Sequence, residues 1–159
     1  MKQKLASLSL PKPITGVASA NAQKISGKTF DLVANPTAYD KISFKNAGKD
    51  LQVDFKTDKA NYKISFASGA WKLGETEKLG PSLVGRAKAH FKGLPASKVA
   101  GSYRWKDENT LELTLRYIDS PHTETIVCKF DQSDIAVDVS NSFDTNPANK
   151  IPTIKGKME

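Results

Sequence analysis

Few side chains in this sequence stand at spacings that could do chemistry. Ser9-Leu10-Pro11-Lys12 fits a serine–lysine pattern in which the serine opens a helix and the lysine lies beside it one turn on. Pro11 and Pro13 block the helix that this geometry needs, so the pair is not read as a nucleophile and its base. Ser19-Ala20-Asn21 is as weak, and Gly80-Pro81-Ser82-Leu83-Val84 lacks the second glycine of a nucleophile elbow. Gly27-Lys28-Thr29 lacks the upstream glycine of a phosphate-binding loop. His90, His122 and the single cysteine, Cys128, are too scattered for a zinc site, which needs three or four clustered ligands. The sequence therefore assigns no catalytic residue, no metal ligand and no cofactor.

Two other sets remain. Trp71, Tyr103, Trp105 and Tyr117 are the candidate ligand-binding residues, as an aromatic wall inside a barrel, although aromatics at strand spacing also build plain core. Ser120, Pro121, His122 and Glu124 lie on or beside a turn, where His122 and Glu124 are expected to act locally and hold that turn. Cys128 shares a phase with Ile126 and Phe130, which reads as a small buried hydrophobe rather than a reactive thiol.

The elements that would position these residues are strands. From Val99 to Val139, four runs alternate apolar and polar residues, broken at Asp107-Glu108-Asn109, Asp119-Ser120-Pro121 and Asp131-Gln132-Ser133. Ile42 and Phe44, then Leu51, Val53 and Phe55, then Tyr62, Ile64 and Phe66 continue the same period upstream. Phe30 and Leu32 share a phase that Ile25 does not, and Gly27 between them allows a bulge. Gly48 is free to take a positive φ in the turn after Phe44. Residues 68–97 are irregular, with one short strand around Trp71 and Leu73 and another near Ala87–Phe91; a helix capped by Ser82 fits poorly. After Asn141 the regularity fades among Pro147, Pro152 and Gly156.

Short connections make neighbouring strands antiparallel, because a parallel return needs a crossover of about a dozen residues. The expectation is an all-β antiparallel meander of about eight to ten strands closing into an up-and-down barrel, which the resemblance given below makes lipocalin-like, with a β-sandwich as the alternative. Residues 1–23 read as a linker or a strap, 24–141 as the barrel and 142–159 as a tail.

Charge narrows the partners. The formal net charge is +7, but from Asp31 to Asp144 there are 16 basic and 16 acidic residues. The excess sits near the two ends, so the body has no net charge with which to build a phosphate-binding face, and nucleic acid is not expected. No apolar run approaches the roughly 20 residues of a membrane span. The first 16 residues lack the apolar core of a secretory signal.

One family resemblance is specific. Leu115 to Phe130, reading LRYIDSPHTETIVCKF, resembles the end domain of bacterial serine hydrolases of the β-lactamase and penicillin-binding-protein superfamily. Ile25–Phe30 with Asn35 resembles that domain's first strand, and Trp71 with Gly74-Glu75-Thr76 its mid-domain turn. Trp105-Lys106-Asp107, Leu111, Leu113, Arg116 and Tyr117 extend the match, and LSLPKP is similar to the linker that follows the catalytic domain. The resemblance covers most of residues 5–140 and implies a lipocalin-like, non-catalytic C-terminal accessory domain. Its partner would be an upstream catalytic domain of the same polypeptide, in the periplasm or cell envelope, and the nucleophile would belong to that domain. The alternative is an independent lipocalin-like binder of a small apolar ligand.

Overall fold

A computed structural model describes residues 10–81, 95–143 and 146–159. Its strands are β1 (Lys28–Leu32), β2 (Lys41–Ala47), β3 (Asp50–Lys56), β4 (Asn61–Ser68) and β5 (Lys72–Thr76). They continue with β6 (Ser97–Trp105), β7 (Thr110–Tyr117), β8 (Thr123–Asp131), β9 (Asp134–Asn141) and β10 (Ile154–Met158). A four-residue helix, α1 (Asn21–Lys24), precedes β1.

Alternation along each strand decides which face is buried. In β3 the burial runs regularly, with Leu51, Val53 and Phe55 inside and Asp50, Gln52 and Asp54 outside. In β8, Glu124, Ile126, Cys128 and Phe130 face inward, while Thr125, Val127 and Lys129 face outward. The turns follow local chemistry. Gly48 takes φ +66 between β2 and β3. The Thr57 hydroxyl accepts from the amides of Lys59 and Ala60 at 3.2 and 3.0 Å between β3 and β4.

The hydrogen-bonded order is β4-β3-β2-β1-β10-β9-β8-β7-β6-β5, and β4 also pairs with β6. Nine strands therefore close a barrel, and β5 is an additional strand lying along the first half of β6. The closing contact is parallel and short, joining Ala67 to Ser102 and Ser68 to Tyr103. The barrel is thus mixed, where an antiparallel meander was expected. Gly101 permits the seam, since a Cβ there would stand 2.5 Å from the Ser65 carbonyl oxygen. The meander reading holds for the rest, and the sandwich alternative does not.

Side chains pack the barrel interior. Phe30, Phe44, Phe130 and Trp105 interlock towards one end, with ring centroids 5.5–6.0 Å apart. Leu111, Leu113, Leu115, Ile126 and Cys128 fill the middle, each fully buried. Burying one such side chain is worth about 1.5–3 kcal/mol. Burial also pushes the Cys128 thiol well above its ordinary range, so the thiolate is suppressed.

Two segments read as peripheral are attached to the barrel. Of residues 1–23, those from Leu10 onward lie on the barrel itself. The Val17 amide donates to the Trp105 carbonyl at 2.9 Å, and the Ser19 hydroxyl to the Glu108 carbonyl at 2.7 Å. Ile25 then enters the core as the residue after α1 and is buried, which explains its phase offset from Phe30. Gly27, at φ +78, makes the change of direction. In the C-terminal stretch expected to be a tail, Ile154–Met158 instead forms β10, between β1 and β9. The strand near Ala87–Phe91, the Ser82 helix, His90 and Ser9 lie outside the described residues.

Candidate functional site

The four aromatics expected to form one wall are separated by the fold. Trp105 belongs to the buried ring cluster, 5.8 Å from Phe130. Tyr117 lies near the opposite end of the barrel, beside Lys78. Tyr103 is half-buried against the core. Trp71 sits outside, donating from Nε1 to the Pro11 carbonyl at 2.7 Å, with the Arg116 guanidinium 5.6 Å from its ring centroid. Strand alternation placed Trp105 and Tyr117 on the inward face, but they lie on opposite ends of adjacent antiparallel strands.

The turn set also divides. His122 stacks on Phe143, with ring centroids 4.7 Å apart, and its carbonyl accepts from the Tyr117 amide at 2.9 Å. Those contacts are local. Glu124 is different: it points inward and accepts from the Lys78 ammonium at 2.7 and 2.9 Å. Lys78 and Glu124 have side chains only 6% and 10% exposed. Tyr117 completes this cluster, 3.4 Å from the ammonium, and Tyr39 faces the same charges.

Burial alone would lower the lysine's pKa, yet Glu124 and the two tyrosines hold it above the ordinary lysine range. Burial pushes Tyr39 up to about 12 and raises Tyr117 as well. A permanently charged pair with no buried polar atom left unpartnered among the described residues is a structural lock. Lys78 was missed because it falls in an irregular loop. Glu124 carried the available signal, a charge in phase with Ile126, Cys128 and Phe130.

A concavity lies elsewhere on the barrel. A cleft of about 630 Å³ opens over β1, β10, β9 and β8. Its floor and rim follow from strand register. One row runs Asp31, Lys157, Asp134, Asp131 across the four strands. The next outward-facing row runs Val33, Lys155, Ala136, Lys129. Between them, Leu32, Gly156, Ile135 and Phe130 turn towards the core. Val33 and Ala136 are short where Lys129, Lys155 and Lys157 are long, so apolar floor is left between charged walls. Val33 is 56% exposed, an apolar side chain offered to solvent.

Gly156 makes the strand packing possible. A Cβ there would stand 2.6 Å from the Asp31 carbonyl oxygen and 2.6 Å from Leu32 Cδ2. The two rows differ in charge. Three aspartates and one lysine line the first, and two lysines with no acid line the second. Asp31 is held at 3.0 Å by Lys41, which also pairs with Glu159. Among the described residues no group of histidine, cysteine and carboxylate side chains could hold a metal, and no helix is long and apolar enough to cross a membrane.

No protein-family model matches this chain, and no curated protein matches it. Solved structures do. A fatty-acid-binding protein from Drosophila melanogaster brain is similar at 14% identity and a TM-score of 0.55, over 84% of this chain and 98% of that one. A fatty-acid-binding protein from Manduca sexta aligns at 13% identity and a TM-score of 0.48, over 85% of this chain and 98% of that one.

The likeness to the Drosophila protein establishes the fold. It also overturns the reading of residues 115–130 as the end domain of a β-lactamase-type serine hydrolase, and leaves the accessory role and the upstream catalytic partner without support. The residues that carried that resemblance have duties inside this barrel. Glu124 neutralises Lys78, His122 packs on Phe143, and the Thr123 carbonyl accepts from the Ser142 amide at 2.9 Å while the Thr123 amide donates to the Ser142 hydroxyl at 3.1 Å. The chain has the closed barrel architecture of a lipocalin-like protein.

Proposed function

We propose that this chain is a non-catalytic barrel that binds a small apolar ligand as an independent unit. The observation that carries the reading is the cleft of about 630 Å³ over Val33, Ala136 and the Gly156 backbone, a volume within the usual range for small-molecule sites of about 300–1,000 Å³. The packed aromatic interior favours this outer cleft over the barrel lumen as the place of binding. An apolar body on Val33 and Ala136, with a polar group held at the charged rim, is the arrangement such a site selects.

Calorimetric titration with dodecanoate, a probe with one apolar chain and one charged head, tests the reading. Saturable binding with a Kd on the order of micromolar is expected. Ala136→Trp, an outward substitution that fills the floor, should abolish it without lowering the melting temperature. Absence of saturable binding in the unmodified chain, or unchanged binding in Ala136→Trp, would overturn the proposal.

A further inference from the structure

A second concavity lies over β6 and β7, and the chain already occupies part of it. Residues 10–17 cross the outside of β6 beside the β4–β6 seam. Trp71 Nε1 donates to the Pro11 carbonyl at 2.7 Å, and Arg116 lies against the Trp71 ring. Gly16 crosses so close to β6 that a Cβ would stand 2.5 Å from the Trp105 carbonyl oxygen. Between the crossing segment and the sheet there remains a cavity of about 200 Å³. Pro11 and Pro13 line it on one side, and Trp71, Arg104 and Arg116 on the other. Arg104 is engaged by Glu112 at 2.6 Å, which leaves Arg116 to back the indole.

The segment lies on the barrel with part of its apolar surface uncovered. Ile14 and Val17 remain 67% and 55% exposed. Its chemistry is that of a polyproline-type ligand. Two prolines one residue apart preset an extended backbone whose carbonyls have no internal donors, and an indole N–H beside a flat cationic stack supplies one. The geometry points to the Trp71–Arg116 groove as a binding site for an extended Pro-Lys-Pro-type segment of another protein, with residues 10–14 as its resident occupant in cis. An incoming peptide competes with a tethered one, so its apparent affinity is the intrinsic value reduced by the fraction of molecules whose groove is open.

The test uses the full chain and a blocked hexapeptide of sequence LPKPIT, added in trans and followed by the Trp71 indole N–H resonance. A saturable shift is expected. It should tighten by about ten-fold or more in a Pro11→Gly/Pro13→Gly chain, whose own segment competes poorly. Pro11→Ala alone gives a milder loosening in the same direction. Trp71→Phe, which keeps a ring but loses the donor, should weaken binding, and a hexapeptide with both prolines replaced by alanine should not bind. Equal binding of the alanine peptide overturns the proposal. So does the absence of any saturable shift at millimolar peptide in either loosened chain.

Discussion

Replacing Lys78 by methionine is the sharpest perturbation of this barrel. It removes the ammonium and leaves the Glu124 carboxylate, 10% exposed, with no cation in hydrogen-bond range. Removing one member of a buried pair costs about 3–5 kcal/mol. For a chain of this size each kcal/mol corresponds to about 2–4 °C, so Lys78→Met should melt roughly 6–20 °C lower. Lys78→Met/Glu124→Leu removes both charges and restores apolar contact, so it should recover most of the loss, with a coupling energy of at least about 2 kcal/mol. Thermal and urea melts followed by circular dichroism at neutral pH measure both. A single variant within about 0.5 kcal/mol of the parent would refute the buried pair, as would a double variant that loses the sum of the two singles.

Three further perturbations have definite signs. Lys78, Tyr39 and Tyr117 all have folded pKa values raised above their unfolded ones. Each contributes stability that is fully present below about pH 10 and is lost as pH rises through the folded value. For Tyr39 the rise from 10.0 to about 12 corresponds to roughly 2–3 kcal/mol. Denaturant midpoints should therefore hold steady from neutrality and fall above about pH 10, and a flat profile through pH 11 would contradict the cluster. Gly156→Val brings side-chain carbon onto the Asp31 carbonyl and Leu32 and should destabilise by about 1–3 kcal/mol or more, read from urea midpoints. His122→Ala removes the Phe143 ring contact and should cost about 0.5–1.5 kcal/mol. A loss above about 3 kcal/mol there would mean the turn itself positions Glu124 on Lys78.

Much of the barrel was legible because its information is local. Leu51, Val53 and Phe55, or Leu111, Leu113 and Leu115, announce a half-buried strand by period alone, and Gly48 announces its turn. What escaped is what depends on partners distant in sequence. β10 carries only Ile154 and Met158 about a glycine on its inward face, between lysines, and becomes a strand because β1 and β9 offer it two edges. The cleft was therefore invisible, since β10 supplies its centre. The parallel β4–β6 seam left no local mark beyond Gly101. Lys78 looked like a loop lysine because its carboxylate lies 46 residues away. Glu124 was half readable: its inward phase was plain, its destination was not. The aromatic wall failed for a geometric reason, since strand phase fixes the face but not the height along the barrel.

The most direct test of the proposed function is where a bound ligand sits. In a titration of the chain with dodecanoate, followed by amide chemical shifts, saturable changes should map to Val33, Ala136, Lys155 and Gly156 over the outer cleft, while Phe44, Trp105 and Leu113 in the packed interior stay in place. Changes centred on those interior residues, or none at all at millimolar ligand, would contradict binding in the cleft.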